Sequence, residues 1–288
     1  MIIATGISFS PKPMPELPEV EVTRQRLAAR VEGALVTGCR VGKPLRWPLG
    51  CDLRLLTGRR VLTLSRRGKY LLMHLDAGLL LWHLGMSGSL ALAEPDSPAG
   101  PHDHFDLRLS GPFGNACLRL TDPRRFGAVV HVTGLDDPRA QRLLGGLGPE
   151  PLAEEDFTVG GFRRALAGRR LAIKPALMAG DMVVGVGNIY ACEALFRARI
   201  APQAAAGSLG AARVTRLHAA VREVLAEAVR RGGSSLRDFS VNGVAGHYQE
   251  SAAVYGRAGE PCRDCGATIR LIRQGQRSTF YCPKCQKR

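Results

Sequence analysis

The sequence has no apolar run near the ~20 residues that a membrane-spanning helix requires, and it contains no long basic amphipathic helix. These two absences argue against a membrane as the partner of this chain. Acidic residues are also few, since 25 Asp and Glu stand against 40 Lys and Arg, for a net charge of +15. So basic a chain favours a polyanion such as nucleic acid, because neutralising phosphates releases their counterions.

Residues 1–13 lack the basic start and the long apolar stretch of a secretory signal. We therefore expect a cytoplasmic protein, bacterial in type and associated with the nucleoid, from whose mature form residues 1–13 are absent. That compartment keeps cysteines reduced. It suits a chain in which four of the eight cysteines bind metal and the others stay free, namely Cys39, Cys51, Cys117 and Cys192.

The first part of the chain has the pattern of a helix followed by an antiparallel β-sandwich. Pro18, with Glu19 and Glu21 in the first turn, is typical of a helix start, and Gly33 ends the apolar periodicity. Short apolar segments with turn signals between them then predict strands. These are Val61–Ser65, Lys69–Leu75, Leu79–Leu84, Ser89–Ala93, Phe105–Ser110, Ala116–Thr121 and Gly127–Val132.

The second part of the chain changes to helical periodicity after a polar, Pro-rich segment, 136–155, which we expect to be a linker. The predicted helices are Phe162–Leu166, Pro175–Met178, Ile189–Arg197 and Ser208–Arg231, the last capped by Ser208 and ended by Gly232 and Gly233. Ser240–Gln249 is a predicted loop. The expected fold is α+β and multidomain, with a β-sandwich domain at 14–135, a helical domain at 156–249 and a metal-binding ribbon at 250–288.

Two C-x2-C pairs near the end of the chain have the spacing of a zinc ribbon. Cys262 and Cys265 are followed after sixteen residues by Cys282 and Cys285. Four thiolates complete a tetrahedral Zn²⁺ shell, so we expect one structural zinc ion. Disulfide pairing is the less favoured alternative in a chain of this compartment. Arg277 lies between the two pairs in a basic and aromatic hairpin and would commonly contact phosphate.

The segment from Met14 to Glu21 contains a proline next to a carboxylate at a possible start site. If Met14 began the chain and were removed, Pro15 would carry a free secondary amine beside Glu16. Such an amine titrates near ~8, so part of it is nucleophilic at neutral pH, and its attack on a sugar C1′ gives an iminium. With residues 1–13 attached, Pro15 is an amide and cannot react in this way. A plain helix start is the alternative explanation.

Three further motifs each give only weak evidence of a binding or catalytic role when taken alone. The Gly-Val-Gly-Asn turn at 185–188 opens onto a helix whose free N–H groups favour phosphate, although many helix–helix turns share the pattern. Lys69, at a strand start, is commonly a solvated surface residue. Met86 and Phe126, on turns at strand ends, are more commonly core residues than binding groups. A dinucleotide-binding fold is excluded, because its strand–helix–strand unit and ribose-binding acid are missing.

Taken together and in this order from Met14 to Cys285, the motifs resemble the formamidopyrimidine-DNA glycosylase and endonuclease VIII family. The resemblance implies that Pro15 and Glu16 are catalytic, that Lys69 lies against the phosphate and sugar of the lesion, and that Arg277 takes part in the second elimination. It also implies that Met86, Arg124 and Phe126 fill the space left by an extruded base, with Arg124 facing the orphaned base. Further implied DNA contacts are His102, Arg169, Lys174 and Asn188.

The activity implied by the resemblance is base-excision repair of oxidised purines, such as 8-oxoguanine and formamidopyrimidines, opposite cytosine. It proceeds through a Schiff base on the N-terminal proline and β,δ-elimination. The expected partner is double-stranded DNA with oxidised bases or abasic sites, bound by a monomer. Leu17 in place of glycine, with the void-filling set, favours this enzyme over the endonuclease VIII type, which acts on oxidised pyrimidines. A non-catalytic binder of damaged DNA is the third possibility if residues 1–13 are retained.

Overall fold

The computed structural model describes residues 14–112, 114–234 and 248–288. The first helix, α1, spans Leu17–Val31 and is followed by Gly33 at a φ of 80°, as the sequence predicts. Its apolar stripe, which includes Val20, Leu27 and Val31, is buried against the sandwich core. No helix in the described part of the chain is long and apolar enough to cross a membrane.

Two four-stranded antiparallel sheets form the sandwich predicted for the first part of the chain. The strands are β1 (Leu35–Val41), β2 (Val61–Arg67), β3 (Tyr70–Leu75), β4 (Leu79–His83), β5 (Ser89–Ala93), β6 (Asp103–Gly111), β7 (Gly114–Thr121) and β8 (Ala128–Val132). One sheet has the order β1-β6-β7-β5 and the other the order β2-β3-β4-β8. Trp82 and Phe105 meet edge to face in the core, with ring centroids 5.2 Å apart.

Strand β1 was missing from the sequence prediction. Only Val36 is buried in it, and the pairing with β6 shifts register between Val36 and Gly38. A strand with one buried residue and a bulge shows no clear alternation of apolar and polar residues. Pairing with β6, rather than its own pattern, therefore decides its conformation.

The segment 136–155 is not wholly a linker, because α2 (Pro138–Leu144) lies within it. Asp137 caps this helix by accepting a hydrogen bond from Arg139 N (2.8 Å), and Pro138 occupies the first turn. Ala140 is buried against the second sheet, with Leu143 and Leu144 beside it. The composition is polar, but Asp-Pro is a helix-start signal that could have identified the helix. The domain boundaries themselves stay a prediction.

Four helices form the second core. They are α3 (Val159–Leu166), α4 (Ile173–Met178), α5 (Asn188–Arg197) and α6 (Ala211–Arg230). The prediction that Ser208 caps the last helix is wrong: Gly210 precedes α6, and the Ser208 hydroxyl donates to Ala205 O (2.9 Å) in a separate short turn. Gly232 and Gly233 follow the helix with φ of 78° and 83°, as expected for its end. Of the predicted loop Ser240–Gln249, residues 240–247 lie outside the described residues.

The last unit of the chain is a two-stranded antiparallel hairpin, β9 (Arg270–Gln274) and β10 (Arg277–Tyr281), between the two cysteine pairs. Cys192 and Phe196 of α5 pack against it. The Gln286 side chain donates to Ile200 O (2.8 Å), which fastens the end of the chain to the helical core. The hairpin is thereby placed beside α5.

Candidate active site and nucleic-acid interface

The helix start that follows the Gly-rich turn at 185–187 binds a carboxyl group of the protein itself, that of Glu16. Ile189 N and Tyr190 N, in the first turn of α5, donate to Glu16 Oε1 (3.1 Å) and Oε2 (3.5 Å). A helix N-terminus stabilises negative charge at this position. The predicted phosphate cradle is therefore corrected to a cradle for the catalytic candidate Glu16.

Close packing against this same segment explains the two glycines of the turn. A Cβ on Gly187 would lie 2.1 Å from Glu16 Cδ, and one on Gly185 would lie 2.5 Å from Leu17 Cδ1. Gly185 also has a φ of 85°, which side-chain-bearing residues rarely adopt. Leu17 N donates to Gly185 O (3.2 Å). The turn thus holds the Leu17 backbone and packs against the Glu16 and Leu17 side chains directly.

Glu19 holds the same segment from the other side and is fully buried. Its Oε2 accepts from Glu16 N (2.9 Å), and its Oε1 accepts from the Tyr190 hydroxyl (2.6 Å) and from Ser234 N (2.8 Å). Pro15 is buried as well. The sequence marked Glu19 only as a favourable charge at a helix start, so its positioning role had no separate signal.

The electrostatics of Glu16 suit proton transfer near neutrality. Burial, with a smaller contribution from Glu19, raises the pKa of the Glu16 carboxyl to about 7, although Lys69 and the two helix N–H groups act in the opposite sense. Desolvation wins because the carboxylate is almost completely removed from water. A carboxyl with this pKa is present in both protonation states at neutral pH.

Lys69 lies in the turn between β2 and β3, close to Glu16. Burial lowers the pKa of the Lys69 ammonium, and Arg277 lowers it further, whereas Glu16 and Glu19 act to raise it. Among the described residues Lys69 has no hydrogen-bond or ion-pair partner. His83, at the end of β4, stays neutral because burial and, to a smaller extent, Lys69 lower its pKa to about 4.

Glu150 anchors the turn that carries Lys69, a role the sequence did not reveal. Its carboxylate accepts from Gly68 N, pairs with Arg66 Nη1 (2.9 Å) and pairs with Arg67 Nη1 (3.1 Å). Arg67 also donates to the carbonyls of residues 147 and 148. The Arg-Arg-Gly-Lys motif therefore joins the sandwich to the start of the helical region and fixes where Lys69 lies.

Lys174 is not available for a phosphate contact, which corrects the prediction. It is 1% exposed, and its ammonium donates to Asn188 Oδ1 (2.6 Å), Thr279 Oγ1 (2.7 Å) and Ser278 O (3.2 Å). Three protein oxygens satisfy the three donors of a lysine. Lys174 thus joins α4, α5 and the ribbon hairpin, and it holds the half-buried Asn188 in a fixed orientation.

Arg277, at the start of β10, lies close enough to Lys69 and Lys174 that its positive charge lowers the pKa of each. It is half-buried and has no hydrogen-bond or ion-pair partner among the described residues. Pro15, Glu16, Lys69 and Arg277 are therefore brought into one region, as expected, although they come from distant parts of the chain.

The three candidate void-filling residues lie on two adjacent turns. Arg124 is exposed, Phe126 is 42% exposed, and the Arg124 guanidinium lies over the Phe126 ring at 5.0 Å from its centroid. Met86 is half-buried on the neighbouring turn. None of the three is a core residue, so the alternative that they only pack the interior is excluded.

The two other predicted DNA contacts differ in their availability. His102 is exposed. Arg169 is engaged by the protein, since it pairs with Asp181 Oδ2 (2.7 Å) and donates to Ala165 O (2.7 Å). The structure therefore leaves His102 free for a DNA contact, whereas Arg169 must give up Asp181 to make one.

The four ribbon cysteines converge as the sequence predicts. Their sulfur atoms all lie within 4.8 Å of one another, with Cys262 Sγ 3.9 Å from Cys285 Sγ and Cys265 Sγ 3.5 Å from Cys282 Sγ. Tetrahedral Zn²⁺ with Zn–S bonds of about 2.3 Å requires sulfurs about 3.8 Å apart. The residues fit one structural zinc ion with no ligand position left open.

Family models match almost the whole described chain. The Formamidopyrimidine-DNA glycosylase N-terminal domain matches residues 14–129, the Formamidopyrimidine-DNA glycosylase H2TH domain residues 147–240, and the zinc finger found in FPG and IleRS residues 259–288. The formamidopyrimidine-DNA glycosylases of Acidovorax sp. and Albidiferax ferrireducens are each 60% identical over 275 residues, which are 95% of this chain and 100% of the relative.

Solved structures agree with this assignment. The chain superposes on the MutM (FPG) protein from Thermus thermophilus with a TM-score of 0.84 and 42% identity, covering 94% of this chain and 98% of the other. A Lactococcus lactis FPG mutant bound to Fapy-dG-containing DNA gives a TM-score of 0.87 and 36% identity, covering 95% and 100%. The chain belongs to the formamidopyrimidine-DNA glycosylase family.

Proposed function

We propose that this chain removes oxidised purines from duplex DNA and then cuts the strand at the abasic site by β,δ-elimination. Its relatives are formamidopyrimidine-DNA glycosylases, and solved relatives are bound to DNA that contains Fapy-dG or an abasic site. The chain covers the full length of these relatives. Both the base-removing and the strand-cutting activity therefore carry over to it.

The position of Pro15 and Glu16 is the observation that carries the proposal. Pro15 is buried next to a carboxyl whose pKa is about 7, and Glu19 and the first turn of α5 hold that carboxyl in place. A group that titrates near neutral pH can both give and accept a proton in one turnover. The nucleophile and the proton carrier are thus adjacent before DNA arrives.

In the proposed reaction the Pro15 amine attacks C1′ of the damaged nucleotide, and the bond from C1′ to the base breaks as the base takes up a proton. The sugar ring opens to an iminium between Pro15 and C1′, which makes the C2′ hydrogen acidic. Loss of that proton expels the 3′ phosphate, a second elimination expels the 5′ phosphate, and water releases the sugar. Glu16 carries the protons, Lys69 stabilises the lesion's phosphate and sugar, and Arg277 assists the second elimination.

The same proposal assigns the DNA contacts. Met86, Arg124 and Phe126 fill the space that the extruded base leaves, with Arg124 facing its former partner. His102 and Asn188 contact phosphates, and Arg169 exchanges Asp181 for a phosphate. Lys174 acts behind this surface by orienting Asn188. The protein works as a monomer on double-stranded DNA, in the cytoplasm and at the nucleoid.

The nucleophile requires a free amine on Pro15, so we propose that the active protein begins there. The family model matches from residue 14 onward. Residues 1–13, which were predicted to be absent from the mature protein, lie outside the described residues. Removal of one methionine from a chain that starts at Met14 would expose the amine.

Borohydride trapping tests the proposal, because it reduces the iminium and joins protein to DNA covalently. Protein produced from Met14 should be trapped on duplexes with 8-oxoguanine opposite cytosine, whereas the 288-residue chain, verified by intact mass, should not. Pro18→Ala in the shorter protein is the matched control and should still be trapped. Efficient trapping by the full-length chain would overturn Pro15 as the nucleophile. Faster excision of an oxidised pyrimidine than of 8-oxoguanine would overturn the purine assignment.

A further inference from the structure

Asp122 is a fully buried carboxylate that neither the sequence patterns nor the proposed reaction uses. Its Oδ1 accepts from the Ser87 hydroxyl (2.6 Å) and from Arg124 N (3.2 Å), and its Oδ2 accepts from Gly127 N (2.7 Å). All three donors lie on the two turns that carry the void-filling side chains. Hydrogen bonds to an ionised acceptor are stronger than those between neutral groups.

The backbone of Asp122 also makes hydrogen bonds to neighbouring turns and loops. Asp122 N donates to His102 O (2.8 Å), and Asp122 O accepts from Arg125 N (3.1 Å). Ser87 Oγ also accepts from Arg124 N (3.2 Å). One residue therefore links the turn of Met86, the turn of Arg124 and Phe126, and the loop that ends in His102.

The two void-filling turns are stacked so closely that their arrangement has little freedom. A Cβ on Gly85 would lie 2.4 Å from Gly127 N and 2.4 Å from the Phe126 carbonyl carbon, so backbone packs on backbone. Arg125, between Arg124 and Phe126, has a φ of 56°, in the left-handed region that non-glycine residues seldom occupy. The carboxylate of Asp122 supplies acceptors that this strained turn needs, and no other buried carboxylate in the described chain contacts these N–H groups.

We propose that Asp122 is a positioning residue that determines how strictly the enzyme reads the base opposite the lesion. It acts by holding the turns of Met86, Arg124 and Phe126 at a fixed relative distance, so that all three enter the DNA stack together. This inference rests on the proposed function of those three side chains. It does not involve Pro15 and Glu16, whose supports are Glu19 and α5.

A shift of these turns would disturb recognition of the opposite base more than the chemistry at Pro15. If the turns shift, Arg124 no longer meets the edge of the orphaned base at a single angle, and directional hydrogen bonds weaken steeply with misalignment. The rate opposite cytosine should then fall more than the rate opposite adenine. Cleavage of a preformed abasic site needs less help from base extrusion, so it should fall less than excision of 8-oxoguanine.

Asp122→Asn is the first test. The amide keeps the volume of the side chain but has one acceptor oxygen, so its NH2 faces a donor on either the Ser87 and Arg124 side or the Gly127 side. In protein produced from Met14, we expect the ratio of 8-oxoguanine excision opposite cytosine to that opposite adenine to fall about tenfold, which one misplaced buried hydrogen bond can supply. Ser87→Ala removes the hydroxyl that donates to Asp122 and accepts from Arg124 N, but it leaves the carboxylate and its other hydrogen bonds in place, so it should lower the same ratio about threefold.

Asp137→Asn is the matched control, because Asp137 is a buried carboxylate at the start of α2 that accepts from Thr133 N (3.1 Å) and Arg139 N (2.8 Å), away from these turns. It should leave the ratio unchanged even if it lowers the melting temperature. An unchanged ratio in both Asp122→Asn and Ser87→Ala, or an equal fall in Asp137→Asn, overturns the inference. If Asp122→Asn fails to fold, Ser87→Ala decides. Wild-type protein that cannot be trapped by borohydride, or that excises no 8-oxoguanine, instead refutes the proposed function.

Discussion

Glu16 and Arg124 belong to two functional regions that are held in different ways. Glu16 is buried, its carboxylate is bound by the first turn of α5, and the cation beside it, Lys69, comes from another part of the chain. Arg124 is exposed, and what is buried is the carboxylate beneath its backbone, Asp122. In the first region the functional group, the Glu16 carboxyl, is itself buried. In the second region the functional side chain, Arg124, is exposed and only the supporting carboxylate of Asp122 is buried.

The difference follows from what each region must do. A proton carrier needs a shifted pKa, and desolvation provides the shift. A side chain that enters the DNA stack must reach out of the protein, so precision has to come from the turn below it. The predictions that follow separate the two regions, beginning with the largest expected effect.

Loss of zinc should damage the buried region through the ribbon hairpin, since Ser278 and Thr279 bind Lys174, which in turn holds Asn188. Cys282→Ser removes one of four ligands from a module too small to hold a core without metal. We expect affinity for lesion DNA to fall about 100-fold or more, measured by titration, with loss of the one equivalent of zinc. Cys39→Ser, outside the ribbon, should keep both the affinity for lesion DNA and the zinc ion. Metal analysis that finds no zinc in active protein would contradict this.

Lys69→Ala should separate the two steps that take place in the buried region. In the proposed reaction a cation beside the damaged nucleotide and Glu16 assists base release, whereas Pro15 carries the elimination. We expect excision of 8-oxoguanine to slow about 30-fold and cleavage of a preformed abasic site about threefold, in single-turnover assays. Lys69→Arg should recover part of the first loss. Equal losses in the two assays would show that Lys69 only binds phosphate and does not assist base release.

Arg124→Ala should affect the exposed region alone. The guanidinium fork can read a base edge, and its loss opens no cavity because the side chain is exposed. The preference for cytosine opposite the lesion should fall about tenfold, with zinc content and melting temperature unchanged. Arg54→Ala, an exposed arginine paired with Asp52, is the control for the lost charge. An unchanged preference in Arg124→Ala would remove the role assigned to it.

The smallest effect concerns the pH dependence of stability in the full-length chain. Because folding raises the pKa of Glu16 from an ordinary 4.5 to about 7, the native state binds more protons than the unfolded state between these values. The stabilisation is therefore complete below pH 4.5 and is lost as pH rises through 7. Urea unfolding should give a free energy about 1 kcal/mol lower at pH 7 than at pH 6 from this group. Glu16→Gln should remove that slope, and a slope that persists would refute the buried, neutral carboxyl.

Much of the fold was predictable because its signals are local. Pro18 and Gly33 bracket α1, and short apolar segments between turn signals place seven of the eight strands. The prediction failed where a local signal was weak or hidden: at β1, with one buried residue, and at α2, inside a polar segment. Pairing with the distant strand β6 decides the conformation of β1, whereas α2 begins at a local Asp-Pro signal that the polar segment hides.

The sequence by itself determined the chemistry that is written in residue type and spacing. Two C-x2-C pairs specify a closed zinc site, and in a protein that begins at Pro15, as proposed, proline beside glutamate supplies an amine with a proton carrier. Only the tertiary structure decided that the helix start after the Gly-rich turn binds Glu16 and that Lys174 is buried. It also decided that Asp122 joins its own turn to the distant turn of Ser87, and that Glu150 supports the distant turn of Lys69. The physical reason is that burial and hydrogen-bond partners depend on which distant segments meet, and local spacing does not carry that information.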